Sequence, residues 1–304
     1  MMSSLTERVA DVARSYGADL VGFAPIRRFD NAPRQNDPRS VFPQTRTVIA
    51  MAVRQPRGAF KAVEEGCYWQ AYNCDSYWYL NEVLAPSLLR AVVMFLEEQG
   101  HTSVPFHNPF GAHAGRQIRA DQPAGPDGMA SLRVIGAAAG LGELGLSKIF
   151  LTPEFGPRQR VFAVFTDAEL TPTPLFTGKV CDECGLCARE CEAGAISTTR
   201  DVKFTIEGVE FAHGELDATA CAVVHRGDDP RFSPFWTGKE SEGQKPAYNA
   251  FLDHRFRHRS ICVGRGCLRV CLDHLEKTGR ISAQFKTPMI SGRRWKLNEP
   301  LAKS

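Results

Sequence analysis

The sequence predicts an α/β fold, in which short buried strands accompany amphipathic helices, followed by a region rich in cysteine. Apolar residues recur at helical spacing near the N-terminus and again over residues 68–99. Two runs, residues 20–23 and 47–53, are apolar, partly β-branched and bounded by Gly, Pro and polar residues, which is typical of buried strands. With 304 residues, of which 43% are hydrophobic, the chain can bury a substantial core.

The N-terminal half contains two helical zones and one unusual connection. The predicted first helix has an apolar face formed by Leu5, Val9, Val12 and Tyr16. Pro86 interrupts the zone 68–99, so either one kinked helix or two helices satisfies the pattern. Residues 101–127 are rich in Gly, Pro and His and are too long for an ordinary connection, which indicates a binding loop or lid.

The following segments complete the α/β domain and lead into the cysteine-rich region. Residues 129–139 predict an apolar helix, and strands are expected at 148–151 and 161–165. The two prolines of residues 171–179 indicate a linker, and the stretch 191–221 can form a hairpin. We therefore expect a cofactor and substrate domain over 1–170, an iron–sulfur domain over 171–288, and a tail over 289–304 that packs back on the body.

The iron–sulfur prediction comes from the spacing of the cysteines. The run VCDECGLCARECEAGAIS has the pattern C-x2-C-x2-C-x3-C, formed by Cys181, Cys184, Cys187 and Cys191. In two-cluster ferredoxins the fourth cysteine of such a run ligates the other cluster. Four cysteines downstream can complete a second site, namely Cys221, Cys262, Cys267 and Cys271. The sequence thus predicts two [4Fe-4S] clusters, with disulfides or a zinc site as the alternatives.

Composition and charge indicate a soluble protein that does not bind nucleic acid. The chain has 37 basic and 34 acidic residues, a net charge of +3, so no strong field for a polyanion is expected. The longest apolar stretches are shorter than a membrane span or are broken by glycine and charge. The N-terminus lacks the pattern of a signal segment, and free thiolates suit a reducing compartment. We expect a cytoplasmic location and no membrane span.

Two further sets of residues are expected to be structural. Cys67 and Cys74 are seven residues apart, which favours one buried helix face over a redox role. The spacing of His101, His107 and His113 matches no helical or hairpin ligand geometry, so a metal site there is not expected.

Several motifs together resemble the cobalamin-dependent reductive dehalogenases and, more distantly, the epoxyqueuosine reductases. They are the segments GLGELGLS, TPEFGPRQR and TDAEL, and the cysteine run itself. The resemblance extends upstream to GADLVGFAP and downstream to ELDATACAVVHRG, so it covers most of the chain. It implies a corrinoid-binding core similar to nitroreductase-like folds, with a ferredoxin-like unit that carries two [4Fe-4S] clusters. The chain lacks the C-terminal repeat extension of many epoxyqueuosine reductases, which argues against a tRNA substrate.

The resemblance also implies how the cysteines are shared between the clusters. One cluster would take Cys181, Cys184, Cys187 and Cys271; the other would take Cys191, Cys221, Cys267 and a residue just before it. The family's pattern places that last ligand at Gly264, and this chain has Cys262 two residues earlier. Either Cys262 substitutes, helped by the flexibility of Gly264 and Gly266, or that iron is open or takes another ligand.

Site residues near the corrinoid follow from the same resemblance. The family places a tyrosine, an asparagine and an arginine there, and the matching positions are Tyr79 or Tyr77, Asn108, and Arg160. A tyrosine would donate a proton and an arginine would stabilise an anion, although an aromatic core stripe and a surface arginine are the plain alternatives. The cofactor-binding positions would be Gly140, Gly142, Glu143, Gly145, Phe155, Gly156 and Arg158. For the glycines the alternative is a helix C-cap and turn, and for Glu143 an exposed carboxylate.

The sequence therefore predicts an oxidoreductase that passes electrons through two clusters to a base-off cobalamin and reduces a small organic substrate, as a reductive dehalogenase does. A ferredoxin or flavodoxin would be its electron donor. The alternative is an electron-transfer protein that retains the clusters and has lost corrinoid binding.

Overall fold

The computed structural model describes residues 3–33, 36–107, 130–229, 231–234 and 260–290. Asn108 and His113, most of the predicted loop 101–127 and most of the tail lie outside these residues. So does the segment 248–259, for which the sequence predicts a helix. Within them, the strands are β1 Leu20–Pro25, β2 Thr47–Arg54, β3 Ser103–Phe106, β4 Glu143–Leu144, β5 Phe150–Leu151, β6 Gln159–Thr166, β7 Ile196–Ile206 and β8 Val209–Leu216. The α-helices are α1 Leu5–Ser15, α2 Arg57–Glu64, α3 Ala85–Glu98, α4 Leu132–Ala138, α5 Leu186–Arg189, α6 Ala218–Arg226, α7 Ile261–Gly264 and α8 Cys267–Lys277.

A four-stranded antiparallel sheet forms the centre of the molecule, with strand order β1-β2-β6-β3. Strand β2 is apolar over residues 48–53 because both faces of the sheet are covered. Ile49 and Met51 face a core that α1 and α3 close, whereas Ala50 and Ala52 face a core that α4 closes. The predicted strands at 20–23, 47–53 and 161–165 are confirmed, and so is the mixed α/β character of the fold.

The helical zone predicted over 68–99 is one continuous run whose first half is a π-helix, Ala71–Leu84, which passes directly into α3. Pro86 lies in the first turn of α3, where its missing N–H costs little. A π-helix has a longer repeat than an α-helix, and here the buried positions are four to five residues apart, as at Tyr72, Tyr77 and Asn81. The wider repeat decides which aromatic side chains point inward.

This run, residues 71–98, is also the one helix in the described chain long and apolar enough to cross a membrane. Length and composition alone make that weak support, because the core helix of a soluble protein meets the same condition. Here Leu88, Leu89, Val92 and Leu96 lie fully buried in the core beside the sheet.

The cysteine-rich region is attached to the sheet domain by buried ion pairs. Arg57 on α2 makes a bidentate contact with Glu276 on α8, with both distances 2.8 Å. Glu64 of α2 contacts Arg269 of α8 at 3.1 Å. Removing one partner of such a buried pair typically costs about 3–5 kcal/mol. The expected hairpin between Cys191 and Cys221 is present as β7 and β8.

Candidate functional site: two cysteine groups and a cavity

The eight clustered cysteines lie in two groups of four, which we call the outer group and the inner group. The outer group surrounds a small cavity and consists of Cys181, Cys184, Cys187 and Cys271. The inner group lines a larger cavity and consists of Cys191, Cys221, Cys262 and Cys267. The structure thus brings together the two sets that the resemblance implies, with Cys191 in the set away from the rest of its own run.

Local backbone geometry explains this division. Gly185 has a φ of +72°, a left-handed conformation that turns the chain after Cys184 into the short helix α5, which carries Cys187. Cys191 follows that helix and lies on its far side. On α8, Cys267 is the first residue and Cys271 lies one turn later, so one helix contributes a thiol to each group.

Cys262 belongs to the inner group, although the family's pattern places that ligand at position 264. It lies on α7, and its thiol shares a hydrogen bond with that of Cys267. Gly266 has a φ of +138°, and a side chain there would begin 3.5 Å from the Cα of Cys262. A glycine at 266 therefore gives α7 the close turn that brings Cys262 to Cys267.

The chemistry of these groups fits metal binding. All ten cysteines of the chain are free thiols, so the disulfide alternative is not supported. Burial raises the pKa of Cys187 to about 11 and that of Cys271 well above its ordinary value. Thiolates packed so closely are unfavourable unless a cation binds them, and four soft sulfur ligands suit iron or zinc. The shared run and crossed fourth cysteine are typical of paired iron–sulfur clusters.

Polar residues fix the outer group. One carboxylate oxygen of Glu143 accepts hydrogen bonds from the backbone N–H groups of Val180 at 2.5 Å and Cys181 at 2.7 Å. Asp182 contacts His274 at 2.8 Å and Arg280 at 3.2 Å. Glu143 is half-buried and anchors the cysteine run, so it is not the exposed carboxylate of the plain alternative. Its expected contact with a corrinoid stays a prediction.

The inner group adjoins a cavity of about 300 Å³, the lower end of the range for small-molecule pockets. Its wall combines apolar residues such as Phe150 and Phe162 with polar ones: Tyr72, Asn81, Arg133, Arg160 and His225. Glu192, the one carboxylate of the described wall, pairs with Arg265 at 2.7 Å. Prolines are often found at the position of Glu192, directly after such a cysteine run. In this chain the ion pair between Glu192 and Arg265 links the first cysteine run to the second.

Tyr77 lies against Arg160, which lines this cavity. The Arg160 guanidinium is 4.8 Å from the centre of the Tyr77 ring, within cation–π distance. Tyr77 is 6% exposed, whereas Tyr79 is 43% exposed because the π-helix turns it outward. Of the two tyrosines that the resemblance offers, Tyr77 is the one that lies beside the arginine.

Electrostatics keep the tyrosine and the histidine of this region neutral at pH 7. Burial raises the pKa of Tyr77, while the nearby Arg160 charge lowers it by a smaller amount. Burial, together with the charges of Arg160 and Arg133, lowers the pKa of His225 to about 4. A phenol that stays protonated can donate a proton, and a neutral imidazole can accept or donate a hydrogen bond.

Sequence reasoning missed Arg133, His225 and Asn81. His225 is four residues after Cys221 on α6, so the helical repeat alone places both on one face. Arg133 is a single charge within an otherwise apolar helix. Asn81 is 2% exposed and its Nδ2 has no hydrogen-bond partner among the described residues, which the sequence does not reveal.

The three glycines expected at the corrinoid pack against protein instead. A side chain at Gly140 would begin 2.1 Å from the carbonyl oxygen of Pro174, and one at Gly142 would begin 2.0 Å from that of Leu151. Gly145 lies against the Leu151 side chain. In the described part of the chain these contacts give the glycines a packing role, which agrees with the alternative of a turn.

Phe155, Gly156 and Arg158 also lie away from the cavity. Gly156 packs against Leu275, and the buried Arg158 donates to the carbonyl oxygen of Gln55. Its guanidinium stacks on the ring of Phe285 at 5.4 Å. These three residues join the sheet domain to the segment after α8, so their expected corrinoid contacts stay a prediction without structural support.

The remaining structural expectations have mixed outcomes. Cys67 is exposed and lies outside any helix, so its predicted burial is wrong, whereas Cys74 is half-buried on the π-helix. His101 contacts Asp167 at 3.1 Å.

Comparison with known proteins places the chain near the reductive dehalogenases. No family model matches it. The tetrachloroethene reductive dehalogenase of Desulfitobacterium hafniense is 46% identical over 68 residues, which are 21% of this chain and 12% of that protein. The chain thus matches about an eighth of the length of its curated relatives.

Solved structures give the fold. A catabolic reductive dehalogenase, NpRdhA, in complex with 3-bromo-4-hydroxybenzoic acid matches with a TM-score of 0.53 and 18% identity, covering 72% of this chain and 29% of that one. A reductive dehalogenase whose structure addresses B12-dependent dehalogenation also has a TM-score of 0.53, at 16% identity, over 94% of this chain and 39% of that one. Epoxyqueuosine reductase of Streptococcus thermophilus has a TM-score of 0.47, too low to support an argument.

The chain therefore has the fold of the reductive dehalogenases over most of its described length and shares a short stretch of similar sequence with them, which confirms the resemblance noted from its motifs.

Proposed function

We propose that this protein is an iron–sulfur oxidoreductase of the reductive dehalogenase type, with one [4Fe-4S] cluster at each cysteine group. The observation that carries the proposal is the division of eight free cysteines into an outer and an inner group, with a cavity beside the inner one. Its substrate would be a small organic molecule with a carbon–halogen bond. The similarity of sequence and fold to reductive dehalogenases supports this reaction class.

The two groups differ in access, which gives the electrons a direction. Cys184 of the outer group is exposed, so a donor protein can approach it, whereas Cys262 and Cys267 of the inner group are buried. A ferredoxin or flavodoxin suits this role because such clusters accept single electrons at low potential. When bound, the clusters and a corrinoid would supply the reducing electrons for bond cleavage.

Tyr77 and Arg160 would then manage the proton and the charge. Replacing a halogen by hydrogen requires two electrons and one proton, and it releases a halide anion. Tyr77 would provide the proton, because its ring lies against Arg160 of the cavity wall and burial keeps its phenol protonated. Arg160 has no carboxylate partner among the described residues, so its charge is available to stabilise an anion in the cavity.

The fit of a corrinoid is less well supported than that of the clusters. The cavity of about 300 Å³ is the size of a pocket for a small substrate, and the described residues alone do not enclose a space for a molecule as large as cobalamin. A base-off cobalamin therefore rests on the likeness to reductive dehalogenases. We assign no residue of this chain to its binding.

The cavity size and the packed glycines favour the alternative, an electron-transfer protein that retains both clusters without corrinoid. The two functions share the clusters and differ in cobalt. A cytoplasmic location is consistent with either and stays a prediction.

Reconstitution tests the proposal directly. Protein purified anaerobically is supplied with iron, sulfide and cobalamin, dialysed to equilibrium, and analysed for iron and cobalt. It is then assayed for bromide release from 3-bromo-4-hydroxybenzoic acid with a low-potential chemical reductant. About eight irons, retained cobalt and bromide release would support the full proposal. Eight irons without cobalt would support the electron-transfer alternative, and about four irons or bound zinc would overturn both.

A further inference from the structure

Arg133 is a positive charge that faces the inner cysteine group without a carboxylate partner. It lies on α4 and lines the same cavity as Cys221 and Cys267. Its Nη1 donates to the carbonyl oxygen of Lys148 at 3.2 Å, and no Asp or Glu in the described ranges is within ion-pair distance. The side chain is accessible to solvent in the cavity, while surrounding protein lowers the pKa of its guanidinium. Arginine stays charged regardless.

The charges around Arg133 make this arrangement unfavourable without an anion. Arg160 lies close enough to repel it, which further lowers the pKa of Arg133. The nearest opposing influences are the thiols of Cys221 and Cys267, which would raise that pKa when ionised. Asp217 also acts on Cys221, but less strongly than Arg133, and its carboxylate caps α6 by accepting from Thr219 and Ala220. Four thiolates around iron would supply the missing negative charge.

The outer group has the opposite surroundings. A carboxylate oxygen of Asp182 lies within 4.8 Å of the Cys184 sulfur, and the Glu143 carboxylate accepts a hydrogen bond from the N–H of Cys181. Arg280 and His274 contact Asp182 and offset part of its charge. Within the described chain, then, the Glu192 carboxylate in the wall of the inner cavity is paired with Arg265, whereas the Arg133 guanidinium there has no carboxylate partner.

These charges affect which of the two clusters is more easily reduced. Reduction adds a negative charge to an iron–sulfur cluster, and burial disfavours that charge. An inner cluster in a uniform apolar site would therefore be the poorer electron acceptor. A guanidinium beside its thiolates stabilises the reduced state, and it acts more strongly where protein partly excludes water.

We propose that the positive charge of Arg133 raises the reduction potential of the inner cluster. Electrons would then pass inward, from the outer cluster to the inner cluster beside the cavity. The inference rests on the proposed function only in requiring that both cysteine groups hold iron–sulfur clusters.

Potentiometric titration followed by paramagnetic resonance tests it on the reconstituted full chain. The inner and outer signals are first assigned with Cys191→Ala, which removes an inner ligand, and Cys184→Ala, which removes an outer one. In Arg133→Gln we expect the inner cluster to become about tenfold harder to reduce, equal to 59 mV for a one-electron couple. The outer cluster should keep its potential. Arg133→Lys retains the charge and should stay within about threefold of the unaltered protein.

Arg46→Gln is the control, because it removes an exposed guanidinium that pairs with Glu169 and lines neither cysteine cavity. Both potentials should be unchanged in it. If Arg133→Gln loses iron, Arg133→Met, which retains the aliphatic stem, gives the same measurement. An inner potential unchanged in the Gln or Met variant, with about eight irons bound, would overturn the inference and leave the proposed function intact. Absence of two clusters in the unaltered protein would instead refute the proposed function.

Discussion

The outer and inner cysteine groups use the same ligand but are assembled in different ways. Three of the four outer thiols come from seven consecutive residues, 181–187, and one of them, Cys184, is exposed. The inner group draws on four separate elements: the turn after α5, helix α6, helix α7 and the start of α8. A local site is close to complete once its loop forms, whereas a distributed site exists only in the folded chain. The outer group therefore suits contact with a partner, and the inner group can position a cavity.

The largest effect is expected from removing Cys191, which belongs to the inner group although it follows the three outer cysteines in the sequence. Cys191→Ala should lose about four of the eight irons, because the structure places Cys191 with Cys221 and Cys267. Iron analysis measures the loss, and resonance spectra of the reduced protein show which cluster remains. Cys67→Ser is the control, since this exposed thiol lies outside both groups. Loss of the outer cluster instead would show that the run serves a single site.

The next test separates the buried tyrosine from the exposed one. Tyr77→Phe should lower turnover by a factor of about 100–10,000, the usual cost of removing a positioned acid. Tyr79→Phe should retain turnover, because its ring is 43% exposed and lies on the other side of the π-helix. Initial rates of bromide release measure both, with iron content confirming intact clusters. Equal rates in the two variants would leave Tyr77 as a core residue that stacks on Arg160.

A smaller effect is expected from the ligand that departs from the family's spacing. Cys262→Ser should retain the outer cluster and alter the spectrum and potential of the inner one, because oxygen is a poorer ligand for iron in a cluster than sulfur. Cys74→Ser, a half-buried thiol on the π-helix, is the matched control. Identical inner spectra in the Cys262 variant and the parent would indicate an open iron or a different ligand.

The sequence predicts the outer group better than the inner one for a physical reason. Regular spacing over 181–191 reports local geometry, and so do the apolar runs that became β1, β2 and β6. The inner cavity depends on contacts between distant segments: Arg133, Arg160 and His225 come from three elements whose meeting no single period encodes. Tyr77 and Tyr79 are two residues apart and face opposite sides of the π-helix, and the structure shows that the side of Tyr77 is the buried one.

Glycine spacing is ambiguous for a related reason. The segment GLGELG is expected to approach a large cofactor, which stays a prediction, and two of its glycines permit close approach of Pro174 and Leu151. Absence of a side chain shows that something is near, and only the structure identifies the neighbour.

The smallest expected effect concerns the hydrogen bonds that fix the loop carrying the outer group, residues 180–187, which we call the outer loop. Glu143 accepts from two backbone N–H groups with one carboxylate oxygen, at Val180 and Cys181. Glu143→Gln retains an acceptor of the same shape but removes the charge. Hydrogen bonds to charged groups contribute about 1.5–3 kcal/mol and neutral ones about 0.5–1.5 kcal/mol, so the variant should lose about 1 kcal/mol of loop stability.

That loss makes transient opening of the outer loop about fivefold more frequent, since 1.4 kcal/mol corresponds to a factor of ten. Iron should therefore leave the outer cluster about fivefold faster in the presence of a chelator, while the inner cluster keeps its rate. Glu210→Gln is the control, because its exposed ion pair with Lys203 contributes little. Faster release from the inner cluster, or from both at once, would show that the two groups open as one unit and that the local assembly of the outer group gives it no separate stability.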